Sequence, residues 1–266
     1  MNLQRTRGFT LLEITVVLLI IGLMIAGLFA PLETQFEARD RRQTQALLDD
    51  IQTALLGHAL THGRLPCPDT DGDGLSNPQW NPLEPITSGA CAQGVGILPW
   101  SELGVPGTDA WGNRYTYAVS QPEFTRPDTD ALCNAGDEAG PHFDLCTRGR
   151  LSIKSRGDAP ATAGIESKAE LATYATAVPV VVVSHGRNGS GAMSGEGFVR
   201  TAPTGADEAE NADADAIFMT RGYSRGGAGC ADDGNEASPL CEFDDLVIWV
   251  SSSVLAARMV QAGRLP

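Results

Sequence analysis

The residues with the clearest chemical potential are carboxylates and cysteines. Asp69, Asp71, Asp73 and Asn77 lie in the string DTDGDGLSN, a D-x-D-x-D-G-x-x-N pattern. Three carboxylates at alternate positions converge on a hard cation, and the glycine permits the sharp turn between them. Calcium is the ion that this pattern implies, against the plainer reading of a polar Asp/Gly turn. The bidentate glutamate of an EF-hand is missing, because Trp80 stands at the twelfth position and Glu84 would have to fold back. Six cysteines form no C-x-x-C pair, so they point to disulfides in an oxidising compartment and not to zinc or thiol redox chemistry. Cys67 and Cys91 bracket the acidic loop; Cys133 with Cys146 and Cys230 with Cys241 flank two more acidic loops. A further carboxylate, Glu13, is the only charge between Phe9 and Glu33. A carboxylate in such an apolar helix is costly and marks a function or a partner.

Catalysis is not expected. His58 and His62 share a helix face, but Ala59 stands where H-E-x-x-H needs its glutamate, and both read as exposed helix-end residues. Ser184-His185 lies in no G-x-S-x-G elbow, and His142 and His185 read as polar loop residues. Gly189-x-Gly191 and Gly195-x-Gly197 belong to no strand–turn–helix phosphate fingerprint. Asn188-Gly189-Ser190 is a glycosylation sequon on three residues alone. A net charge of −14 over 266 residues excludes a nucleic-acid surface.

The elements that must carry these groups begin with the apolar run. As a helix, Phe9–Leu32 would be about 36 Å long, enough to cross a bilayer. Arg5 and Arg7 precede it and no arginine follows until Arg39, which keeps the first residues cytoplasmic and the body outside. The run is too long for a secretory signal and has no good small-x-small exit. Phe36, Leu47, Leu48, Ile51, Ala54, Leu55 and Ala59 continue a helical stripe until Gly57 or Gly63 ends it, before Pro66. The organisation expected is residues 1–8, a membrane helix over 9–32, its amphipathic continuation over 33–63, and a globular body over 64–266. In the body, Ile97, Leu98 and Trp100 should cover the helix stripe. Tyr115, Tyr117 and Val119 alternate as a half-buried strand after a Gly112-Asn113 turn. Further strands are expected at Leu151–Lys154, Val178–Ser184, Ala216–Thr220 and Leu246–Ser251, with the valine run central, and a short helix over Ser251–Ala262.

Gly8-Phe9-Thr10-Leu11-Leu12-Glu13 resembles the cleavage and methylation signal of prepilins, the precursors of type IV pilins and type II secretion pseudopilins. The resemblance implies cleavage between Gly8 and Phe9 by prepilin peptidase and N-methylation of Phe9. It also implies that Glu13 pairs with the α-amino group of a neighbouring subunit and that Pro31 curves the helix. Asp109-Ala110-Trp111-Gly112-Asn113-Arg114-Tyr115-Thr116-Tyr117 is similar to the D-P-W-G-N-P-Y-x-Y segment of major pseudopilins, with Ala110 and Arg114 in place of prolines. Gly186–Gly189 and Asn211–Asp215 loosely match the calcium loop that pseudopilins place before their last strand. The fold implied is α+β and type IV pilin-like: a long N-terminal helix on an antiparallel sheet, with long disulfide-stapled loops. The implied role is a pseudopilin or minor pilin, single-pass in the bacterial inner membrane with a periplasmic body. Its partners would be prepilin peptidase, other pilin subunits and an inner-membrane assembly platform. The competing reading is a membrane-anchored, calcium-dependent adhesion module that does not polymerise.

Overall fold

The computed structural model describes residues 11–78, 91–125, 147–156, 172–232 and 239–265, and for residues 25–34 the backbone only. Gly8, Phe9, Glu84, Cys133, His142, Cys146 and the side chain of Pro31 therefore lie outside the described residues. The helical periodicity produces one element, α1, from Leu11 to His62. It stops where Gly63 turns left-handed, with φ +70°, and donates its N–H to the Ala59 carbonyl at 2.8 Å.

The chain divides into two compact units, Met1–Arg42 and Gln43–Pro266. In the first, the apolar side chains described between Leu11 and Met24 are exposed, among them Leu11 at 84% and Leu23 at 68%. Among the described residues, no helix is long and apolar enough to cross a membrane. The expected span over 9–32 extends beyond the side chains described.

The second unit holds the core. Strands β1 (Val95–Ile97), β2 (Thr116–Val119), β5 (Val180–Ser184) and β9 (Leu246–Val250) form an antiparallel sheet in the order β1-β2-β5-β9. A second sheet places β4 (Ala172–Val178), β3 (Leu151–Ser155) and β6 (Ile217–Met219) side by side. Its β3–β6 pair is parallel, which departs from the purely antiparallel expectation. The strands β7 (Ser224–Arg225) and β8 (Glu242–Phe243) make a short ribbon.

Strand β5 explains how the layers fit. Its alternate residues point to opposite faces. Val180 and Val182 pack with Leu48, Ile51, Leu55 and Ala59 of α1 and with Leu255 and Met259 of α4 (Ser252–Gln261). Val181 and Val183 pack with Leu151, Ile153 and Phe218 of the second sheet. A strand covered on both faces has no position for a polar side chain, and that accounts for the unbroken valine run. Strand β2 shares this setting: Tyr117, Ala118 and Val119 are all buried, so it is not half-exposed as its alternation suggested. Of the three residues expected over the helix stripe, Leu98 joins the helix core. Trp100 instead lies under the Arg114 guanidinium, 3.8 Å from the ring centroid.

Two disulfides are present among the described residues, Cys67–Cys91 and Cys230–Cys241. Asp109 organises the DAWGN turn: its Oδ1 accepts from the backbone of Trp111 and Asn113, each at 2.9 Å. Asn113 then donates from Nδ2 to the Gly186 carbonyl at 2.9 Å, tying this turn to the loop after β5.

Candidate metal centres and the N-terminal signal

The Asp69–Asn77 loop hangs from the edge of the four-stranded sheet. Asp69 and Ile97 exchange backbone hydrogen bonds of 2.9 and 2.8 Å, which fixes the start of the loop against β1. The fully buried Asp69 carboxylate gathers the turn beyond it: Oδ1 accepts from the N–H of Asp71 at 3.1 Å and Gly72 at 2.7 Å, and Oδ2 from Gly74 at 2.8 Å. Gly74 needs to be glycine twice over, having φ +88° and the Trp100 ring 2.7 Å from where a Cβ would sit. Asp73 Oδ1 accepts from Leu75 N–H at 2.8 Å. Asn77 Oδ1 accepts from Thr70 N–H at 2.6 Å, and its Nδ2 donates to Asp71 Oδ2 at 3.4 Å. The outcome is three carboxylates, Asp69, Asp71 and Asp73, with oxygens within 4.8 Å of one another. Asp71 and Asp73 are exposed, so the cluster opens to solvent.

Sequence reasoning missed Glu102, which takes a place beside this loop. It lies on α2 (Trp100–Leu103), and its Oε2 accepts from Ser76 N–H at 3.0 Å. Its Oε1 meets His58 Nε2 at 3.0 Å. The His58 bond pulls the Glu102 carboxyl down to about 2, helped by Ser76 and opposed by burial. His58 is thus not an exposed helix-end residue: it is 7% exposed, with Nδ1 3.0 Å from the Arg64 carbonyl oxygen. His62 stacks on it at 4.1 Å. The helix end and the acidic loop are consequently joined through one carboxylate. No motif announces this, since the partners are 44 residues apart.

The other expected polar features fall around the last strand. Ser184 donates from Oγ to Asp109 Oδ2 at 2.7 Å, and His185 Nε2 lies 2.8 Å from the Thr116 hydroxyl. Both residues are fully buried. His185 is therefore a core residue and not a surface loop residue. Burial pushes it down to about 4, leaving the ring neutral at pH 7. Asn188, at the sequon, donates its Nδ2 to both Glu208 oxygens at 3.0 and 3.1 Å. Asp213 and Asp215, in the stretch expected to hold calcium, group with Glu210 from α3 (Ala206–Ala212). Glu208, Asp244 and Asp245 make a third group. Burial raises Glu208 to about 7 and Asp245 well above the carboxylate range, with neighbouring carboxylates adding to both.

Residues 3–29 match the family model described as the prokaryotic N-terminal methylation motif. The N terminus is a prepilin-type signal. The matched residues contain Gly8, Phe9 and Glu13. Neither the curated proteins nor the solved structures provide a match to the chain.

Proposed function

We propose that this protein is a structural subunit, a pseudopilin or minor pilin. Prepilin peptidase cuts it between Gly8 and Phe9 and methylates Phe9. The processed chain then assembles through its N-terminal helix into a type II secretion pseudopilus or a type IV pilus. The observation that carries the reading is the prepilin-type methylation motif over residues 3–29. The helix after it adds physical support. Its apolar side chains from Leu11 to Met24 are exposed, a surface suited to lipid before assembly and to neighbouring helices after it. Glu13, set in that surface, requires a counter-charge once water is excluded, and the α-amino group of a neighbouring Phe9 supplies one. Disulfides among the described residues suit an oxidising, periplasmic body.

The Asp69–Asn77 loop is assigned to calcium within this reading, with Asp69, Asp71, Asp73 and Asn77 as its side-chain ligands. The donors are oxygens only, and the carboxylates already converge. The test of the main reading is the N-terminal mass of the protein purified from its native membrane. A chain starting at N-methylated Phe9, lost on Gly8→Leu, is the expected result. An intact N terminus in the presence of the peptidase overturns it and favours an anchored adhesion module.

A further inference from the structure

Beyond β5 the chain folds into a hairpin over residues 191–201. Gly191 N–H donates to the Thr201 carbonyl, Arg200 N–H to that of Ala192 and Ser194 N–H to that of Phe198, each at 2.8 Å. The DAWGN turn holds the hairpin in place: Arg114 N–H donates to the Met193 carbonyl at 2.7 Å, and Gly195 N–H to the Gly112 carbonyl at 2.8 Å. On this support Phe198 is 67% exposed and Val199 76%. Successive residues of an extended strand point to opposite sides, so neither side chain covers the other. Two adjoining large apolar groups left in water on a fixed turn mark a contact surface.

A pocket of about 240 Å³ opens beside the hairpin. Its walls are mainly apolar, with Val95 and Ile97 of β1, Met193 and Val199 of the hairpin, and Ala212 and Ala214 at and just beyond the end of α3. The charges around knob and pocket say what can cover them. In a chain of net charge −14, arginines without a carboxylate stand out. Arg200 is exposed, donates from Nε to Asn113 Oδ1 at 3.1 Å, and pairs with no carboxylate among the described residues. The Arg114 guanidinium, which lines the pocket, donates only to the carbonyls of Gly107 and Gly195, at 3.2 and 3.1 Å. Glu196 is the one acid of the hairpin. On the far wall Asp213 and Asp215 flank Ala214, both exposed. Asp215 Oδ1 accepts from Ile217 N–H at 2.7 Å, and no arginine or lysine among the described residues meets it. The hairpin thus offers apolar bulk with a cation behind it and an acid at its tip. The pocket offers an apolar hollow with acids at its rim and a cation in its wall.

We infer that two copies of this body pair through these features, with Phe198 of each seated in the pocket of the other. Arg200 then meets Asp215 of the second copy, and Glu196 meets Arg114. Val199 belongs both to the hairpin and to the pocket wall, so knob and hollow adjoin and satisfy one another reciprocally about a two-fold axis. Such a pair closes at two copies and does not grow into a fibre. The charge on each copy opposes pairing, so the apolar contact supplies the attraction and the ion pairs set the register. The pairing involves only the unit Gln43–Pro266 and depends neither on processing at Phe9 nor on calcium in the Asp69–Asn77 loop.

The test follows the full chain in detergent and EGTA by sedimentation velocity over the micromolar range. A dimer exchanging with monomer is expected. Because α1 can also associate through its apolar half, substitutions in the body decide the matter. Phe198→Ala weakens the dimer by at least about 30-fold, the loss typical of a central aromatic anchor. Arg200→Glu and Asp215→Arg each place like charges together at both contacts and weaken it by at least about 10-fold. Mixing these two variants in equal amounts restores the dimer, since both cross-copy pairs are again of opposite sign, and the rescue shows that both variants are folded. A parent that stays monomeric, a dimer unchanged by Phe198→Ala, or charge variants that do not rescue one another overturn the interface. Growth beyond two copies overturns its two-fold closure.

Discussion

Glu102 offers a test in which the pH dependence, and not only the size of the effect, is fixed in advance. Its carboxyl moves from 4.5 to about 2 in the folded chain, chiefly through the His58 bond. Each unit corresponds to about 1.4 kcal/mol, but Glu102 is exposed and solvent screens it, so the ionised carboxylate contributes about 1–2 kcal/mol. Because the folded value lies below the unfolded one, that contribution is complete above about pH 4.5 and is lost as pH falls toward about 2. Glu102→Gln keeps the shape and removes the charge. Urea unfolding of the full chain in detergent, followed by tryptophan fluorescence, should show the variant less stable by about 1–2 kcal/mol at pH 7. The deficit should shrink to within about 0.5 kcal/mol near pH 2. An equal deficit at both pH values would assign the effect to lost shape or packing and refute the charge argument. No deficit at pH 7 would show that the His58–Glu102–Ser76 link does not hold the loop to α1.

Packing, crosslinking and backbone geometry set three further outcomes. Leu55→Ala removes a side chain 1% exposed between α1 and the sheet, and should cost about 2–5 kcal/mol in denaturant unfolding. Replacing Cys67 and Cys91 together by serine opens a crosslink spanning 24 residues, with an expected loss of about 3 kcal/mol by the same assay. Gly186→Ala places a Cβ 2.4 Å from Asp244 Oδ1 at φ +57°, and should cost more than about 2 kcal/mol in the same denaturant assay.

Much of the architecture could be read from local pattern. The helical stripe gives α1, which runs past Gly57 and ends at Gly63, the second of the two stops the sequence offers, and the valine run gives the central strand. Cys67–Cys91 and Cys230–Cys241 join the neighbours that bracket acidic loops. What stayed hidden depends on contacts between distant residues. The parallel β3–β6 pair needs a crossover whose direction no periodicity records. β4 is rich in alanine and threonine and largely exposed, so it lacks the apolar alternation that marks a strand. The burial of His58 depends on Glu102, and the buried carboxylate group depends on Glu208 meeting Asp244, 36 residues away. The pair Asp244-Asp245 directly precedes the strand expected at Leu246–Ser251. Its partner could be found only once α3 was placed beside it.

The strand order also has a consequence in time. β5 pairs with β2 on one side and with β9 on the other, and its partner residues run from Thr116 to Val250. A chain made from its N terminus can close the Cys67–Cys91 crosslink early. It cannot finish its sheet until Val250 has been delivered, or seat Leu255 and Met259 under α1 until those residues follow. During that interval Val180–Val183 presents an open, apolar edge, the kind of surface on which a holding chaperone or an unwanted second chain acts. Assembly of this body is therefore governed by β9: of the described strands it is made last, and it decides whether the edge is closed by its own chain or by another.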